Sequence, residues 1–212
     1  MKLYIHPSSP NSRAVVVAAR LLGQPLDLEQ VELSPGGQRP ADYLAINPNG
    51  YVPVLVDGDF HLWETDAIMQ YLAGVAAPSS LWPEDLRQRA DVTRWQFWNK
   101  CHWTPTLQTF VFENVFKGVY GLGTPDDDKL EAAAAKFEKF GTVLSVAVSS
   151  NPFAAGKHLT LADLSLASYL IHAERAGIPI ARFPAISSWA AKVLSDEGWS
   201  CDLEMGRQFA RA

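Results

Sequence analysis

The sequence predicts two domains of different class: an α/β domain with a mixed four-stranded sheet over residues 1–77, and an all-α helical-bundle domain over residues 85–212, joined by a linker at 78–84. Three observations predict it. Short apolar runs of strand type alternate with helical patterns only as far as about residue 75. The stretch "APSSLWPED" then interrupts the pattern with proline and serine. Beyond it, segments of helical spacing follow one another and no convincing strand appears.

The elements follow in order. "KLYIH" is a strand and Ser12 to Leu22 a helix, with Ser8, Ser9, Asn11 and Ser12 all able to cap its start. "LDLEQVEL" is the next strand, "SPGGQRP" a loop and "ADYLAI" a short helix. "VPVLVD" and "FHLW" are strands joined by a two-residue turn at Asp57-Gly58, hence an antiparallel hairpin. "ETDAIMQYLAGV" closes the first domain as a helix. In the second domain a long helix runs from about Glu84 to Phe116 and kinks at Pro105. After the break "GLGTPDDD" come helices at Asp127–Val148, Leu161–Ala176 and Ala185–Leu194. In "LTLADLSLASYL", Thr160 and Asp163 form a capping box, with Leu159 and Leu164 as the flanking apolar staple. As a local cap alone, Asp163→Ala is expected to cost about 1 kcal/mol and to leave substrate affinity unchanged.

Composition excludes several function classes. With 212 residues, 48% of them hydrophobic and 11% aromatic, the chain can build packed cores without disulfides. A formal charge of −5 and the lack of any Lys/Arg block argue against nucleic acid and anionic membranes as partners. No stretch of 18 apolar residues and no leader pattern occurs, so the expected location is cytoplasmic. Cys101 and Cys201 stand alone, in neither a CxxC nor a zinc spacing. Neither a metal centre nor thiol–disulfide catalysis by a protein cysteine is expected.

Four stretches of the first domain carry polar groups where chemistry is feasible. In "HPSSPNSRAV" a strand meets a helix start, and a hydroxyl there can donate to a thiolate beside the positive end of the helix. In "NPNGYVPVL", Pro53 stands in a strand pattern, where it suits either an edge or a cis Val52–Pro53 bond that leaves the Val52 N–H and C=O to an extended ligand. In "WETDAI", Thr65 can cap the helix and hold a carboxylate while Glu64 meets an ammonium, a pairing that suits an α-amino acid end. In "GGQRP", Arg39 can clamp a second carboxylate with Gln38 beside it.

Taken together, "NPNGYVPVL" followed by "LWETDAI", with "LTLADLSLASYL" downstream, resembles the glutathione S-transferase family across essentially the whole chain. The resemblance implies a thioredoxin-like first domain that binds glutathione as co-substrate. It makes Val52, ahead of a cis Pro53, the backbone partner of the cysteinyl unit. Glu64 and Thr65 would hold the γ-glutamyl end, with Gln38 and Arg39 near the glycyl carboxylate. "SSPNSR" resembles the serine-type starts of phi-, nu-, theta- and delta-like members, which makes Ser9 the activating hydroxyl with Asn11 as helper or alternative. Beta-class bacterial members carry a cysteine in this loop; this chain does not.

Trp95, Trp98 and His102 fall on one face of the long helix, either as core between helices or as an aromatic wall. The resemblance places Trp98 and His102 in the co-substrate pocket, with a buried, hydrogen-bonded histidine as the other reading of His102. It also implies a homodimer. Conjugation of glutathione to small hydrophobic electrophiles is the leading function. Glutathione-dependent isomerisation, disulfide reduction and a non-catalytic interaction module stand beside it.

Overall fold

A computed structural model describes residues 1–32 and 41–199, which divide into two compact units. One is Met1–Trp82 together with the segment beginning at Asp196, and the other is Pro83–Ser195. The sequence reading assigns everything after residue 85 to the helical domain. The return of Asp196–Trp199 to the first unit follows from contacts with the first helix, described below.

The first unit is built on β1 (Lys2–Ile5), α1 (Pro10–Leu21), β2 (Asp27–Gln30), α2 (Ala41–Ile46), β3 (Val54–Asp57), β4 (Phe60–Trp63) and α3 (Thr65–Val75). The sheet is mixed, in the order β2-β1-β3-β4, with β1 parallel to β2 and antiparallel to β3. Leu3 pairs with Leu55, and both are fully buried. The β3–β4 turn lies one residue later than the sequence suggests. Asp57 pairs with Phe60, so Gly58 and Asp59 form the loop, and Gly58 takes φ +62° at its first position. Helix α1 is buried without a break from Ser12 to Ala19, and α3 and the 197–199 turn both pack against it. That explains the unpatterned run "AVVVAA".

The second unit opens with one continuous helical run divided by two π turns: α4 (Leu86–Trp98), a π turn at Asn99–Trp103, α5 (Thr104–Val111), a π turn at Phe112–Phe116, and α6 (Lys117–Val119). Where the sequence suggests a proline kink, the chain widens instead. Pro105 has no N–H for an α-type bond, and Thr104 N–H bonds back five residues to the Asn99 carbonyl. The unit continues with α7 (Asp127–Ser150), α8 (Leu161–Ala167), a 3₁₀ turn at Ser168–His172, α9 (Ala173–Ala176) and α10 (Pro184–Val193). Gly141 of α7 faces Phe183 so closely that an added Cβ would lie 2.5 Å from the ring. No described helix is long and apolar enough to cross a membrane.

Two buried carboxylates hold this unit together. Asp163 has no exposed surface and accepts from the N–H of Ala154 at 2.8 Å, Trp189 Nε1 at 2.9 Å, and Thr160 N–H and hydroxyl at 2.9 and 3.0 Å. Burial pushes its pKa up while these four donors oppose the rise. The capping box is present, yet half of the bonds to the carboxylate come from outside it. A cap-sized cost of about 1 kcal/mol therefore understates this residue.

Glu113, in the second π turn, is only 2% exposed and meets Lys117 Nζ at 2.5 Å and Asp126 N–H at 2.9 Å, joining that turn to the start of α7. The bonded Lys117 ammonium is the main cause holding its pKa below the ordinary 4.5. The unfolded chain thus binds more protons in the window below that value, and stability rises with pH across it. Glu113 contributes fully above the ordinary value, and the contribution is lost as pH falls through the lowered one. Glu113→Gln should melt well below the parent protein at about pH 6, and the gap should narrow as the pH is taken down to about 3. An equal gap at both pH values would refute the assignment.

Candidate functional site

The register of the sheet brings three of the four sequence-predicted stretches to one edge. Val54, the first residue of β3, pairs with Tyr4 near the end of β1 on one side and with Trp63, the last residue of β4, on the other. The Ser9 loop leaves this edge after Ile5, Val52 and Pro53 enter it ahead of Val54, and Glu64 and Thr65 follow Trp63. Ile5 also pairs with Gln30, the last residue of β2. Gln38 and Arg39 themselves lie outside the described residues.

Helix α1 begins two residues earlier than the sequence suggests. Pro10 takes the first helical position, where its fixed φ is pre-organised and its missing N–H costs nothing. The cap is therefore Ser9 and not Ser12. Ser9 Oγ accepts from Ser12 N–H at 3.2 Å, and Ser12 Oγ, almost fully buried, accepts from His6 N–H at 3.4 Å. The loop is tightened further by Ser9 N–H to the His6 carbonyl at 2.9 Å and by Ser8 N–H to His6 Nδ1 at 3.2 Å. The capping bond uses a lone pair of the Ser9 oxygen and leaves its proton over. Among the described residues that O–H has no acceptor. The Asn11 side-chain amide likewise has no hydrogen-bond partner there.

The Val52–Pro53 peptide is cis. The approach to it is set by Asn47, 2% exposed, a residue not singled out from the sequence. Asn47 Nδ2 and the Tyr43 hydroxyl both donate to the Tyr51 carbonyl at 2.7 Å, and Asn47 Oδ1 accepts from Asn49 N–H at 3.0 Å. The signal was local: "NPNG" is a turn pattern in which an asparagine side chain bonds the backbone two residues on. Val52 N–H and C=O have no hydrogen-bond partner among the described residues.

At the β4–α3 junction the cap position belongs to Glu64, not to Thr65. Glu64 has φ +78° and ψ 119°, the only described residue other than glycine with positive φ, and its side chain makes no capping bond. Its carbonyl accepts from Ile68 N–H at 2.9 Å to start the helix. The carboxylate is exposed and unbonded within the described chain. Thr65 is 3% exposed, and its hydroxyl also has no partner there. Backbone held in a sparsely populated region costs about 1–3 kcal/mol and persists where function uses it.

In the helical unit Trp98 and His102 do come together. Their rings lie 6.1 Å apart, and both meet Phe140 of α7, His102 by stacking at 5.0 Å and Trp98 edge-on at 6.0 Å. His102 is exposed, which removes the buried-histidine reading. The π turn brings Trp103, five residues on, to stack on Trp98 at 6.2 Å, a neighbour that a regular α-helix would carry off this face. Trp95 packs against Trp98 at 5.2 Å and is core at 3% exposure. Cys101 is exposed with a free thiol, and Cys201 lies outside the described residues.

Comparison with known proteins gives a consistent picture. Residues 3–80 match the family model of the glutathione S-transferase N-terminal domain, and residues 108–197 that of the C-terminal domain. A glutathione S-transferase of Hyoscyamus muticus is 30% identical over 212 residues, covering 96% of this chain and 98% of its own. Human glutathione S-transferase theta-2B is 29% identical, with 91% of this chain and 80% of that protein covered. The crystal structure of a glutathione S-transferase from Rhodospirillum rubrum matches with a TM-score of 0.83 at 30% identity, over 93% of this chain and 89% of that one.

Proposed function

Because the chain belongs to the glutathione S-transferase family, it is a glutathione transferase, and we propose that it conjugates glutathione to small hydrophobic electrophiles with Ser9 as the thiol-activating donor. The observation that carries the reading is the set of polar groups without a partner among the described residues that gather at one end of β1, β3 and β4: the Ser9 O–H, the Val52 backbone, the Thr65 hydroxyl and the Glu64 carboxylate. An extended tripeptide with a carboxylate and an ammonium at one end matches them in type and order.

In this reading the cysteinyl unit pairs with Val52 beside Pro53, and the γ-glutamyl end meets Glu64 and Thr65. Gln38 and Arg39 serve the glycyl carboxylate. The thiol gives up its proton to water, and the thiolate accepts the Ser9 O–H bond. It then attacks an electrophilic carbon, either expelling a leaving group or adding to an activated double bond that takes up a proton. Lowering a thiol pKa from about 8.5 by two units needs about 2.7 kcal/mol. A hydrogen bond to a charged group supplies about 1.5–3 kcal/mol and a helix N-terminus about 0.3–1 kcal/mol. The ledge of Trp98 and His102 on Phe140 supplies the apolar surface for the co-substrate. The family resemblance supports action as a homodimer.

The test exploits the strain at Glu64. The parent protein should be retained on immobilised glutathione and turn over an activated haloarene with halide release. Glu64→Gly should raise stability by about 1 kcal/mol by relieving the backbone and weaken glutathione binding roughly tenfold by removing the ammonium partner. A parent protein that neither binds nor conjugates would sink the reading. A Glu64→Gly variant that binds as tightly as the parent would remove Glu64 from the site.

A further inference from the structure

Arg13 is a fully buried arginine one helical turn beyond Ser9, and its backbone N–H donates to the Ser9 carbonyl at 3.1 Å. Among the described residues its side chain donates bonds that no step of the chemistry above uses. Nη2 donates to the carbonyl of Pro7, two residues before Ser9, and Nη1 donates to the carbonyl of Trp199 at 2.6 Å, across 186 residues of sequence. The fork of one guanidinium thus spans the hydroxyl-bearing loop and the returning segment.

That segment is docked along α1 by independent contacts. Arg20, on the next turns of α1, pairs with Asp196 at 3.3 Å and Glu197 at 2.5 Å. Gly198 N–H donates to Asp196 Oδ1 at 2.7 Å, and Trp199 is 6% exposed. Gly198 sits so close to α1 that an added Cβ would lie 3.0 Å from Val17 Cγ2 and 2.9 Å from Asp196 Oδ1. The segment therefore rests on the same helix whose first turn carries Ser9.

We propose that Arg13 is a positioning residue for the Ser9 loop, and that Asp196–Trp199 is the anchor against which it holds that loop. The Pro7 carbonyl is fixed from behind by Arg13, as the Ser8 and Ser9 N–H groups are fixed by His6. The direction of the Ser9 O–H is then set by a contact between the two ends of the first unit. This rests on Ser9 as the donor to the thiol.

The test uses the full chain with Ser9→Ala, Arg13→Met, Arg13→Lys, Gly198→Val and the Arg13→Met/Gly198→Val pair. The readouts are the ultraviolet absorbance of bound glutathione thiolate against pH, and the Kd for glutathione. Arg13→Met and Gly198→Val should each move the thiolate midpoint up by about one pH unit, tenfold less thiolate at a given pH below it, with Kd within about threefold. The pair should shift no further than either single change, as expected for groups that act through one contact, and Arg13→Lys should restore part of the shift. Unmoved midpoints in Arg13→Met and Gly198→Val, beside a shifted Ser9→Ala, would overturn the proposal and leave Ser9 in place. An unmoved midpoint in Ser9→Ala would instead overturn the reading of Ser9. If Arg13→Met does not fold, Gly198→Val, which touches no group of the loop, decides alone.

Discussion

Replacing Ser9 by alanine is expected to lower kcat/KM for conjugation by roughly 10- to 100-fold, the loss of one hydrogen bond to a charged group, while glutathione still binds. The complication is that Ser9 also caps α1 through Ser12 N–H. Alanine removes that cap as well, at about 0.5–2 kcal/mol of stability, whereas glycine at an N-cap costs only a few tenths. Ser9→Gly should therefore melt near the parent temperature and still lose the rate, which separates the thiol contact from the cap. Ser9→Thr keeps the hydroxyl and the cap and should recover most of both. Parent rates in Ser9→Ala and Ser9→Gly would transfer the role to Asn11, whose amide is open on the same first turn, and Asn11→Ala would then carry the loss.

The cap at Ser9 shows where the sequence is informative. The hairpin and the capping box depend on neighbours in the chain, and they are present within a residue or two of the expected places. The shifts have local causes: Pro10 starts α1 early, and Asp57 pairs with Phe60 so that the turn moves to Gly58 and Asp59. What could not be read is what comes from afar. The π turn at Asn99–Trp103 needs Pro105 together with a buried face, where Asn99 Nδ2 donates to the Ser165 carbonyl at 3.0 Å and Trp103 Nε1 to the Leu166 carbonyl at 3.1 Å. The return of Asp196–Trp199 to α1 needs a partner for Arg13 that composition does not announce, since a backbone carbonyl has no sequence signature. The backbone of Glu64 was equally hidden, because "WETD" resembles an ordinary helix start.

Asp163 carries the largest expected effect on stability, and its size comes from the same nonlocal source. Its two oxygens serve four donors, and three of those, Ala154 N–H, Thr160 N–H and Trp189 Nε1, have no acceptor function of their own. Asp163→Ala would leave them buried and unpaired at about 1–3 kcal/mol each, against a typical total stability of about 5–15 kcal/mol. The expected result is a protein that is largely unfolded at 37 °C or recovered only as aggregate. Asp163→Asn keeps the shape and one acceptor oxygen, but points an amide N–H₂ at donors, so it should fold with a markedly lowered melting temperature. Trp189→Phe removes one of the four donors instead of the acceptor. That leaves a satisfied carboxylate and should cost much less than Asp163→Ala, because an acceptor retaining three partners is not an orphan. Thermal melts of the three variants test this ordering directly. Asp163→Ala melting within a few degrees of the parent protein would mean that the carboxylate is only a helix cap after all.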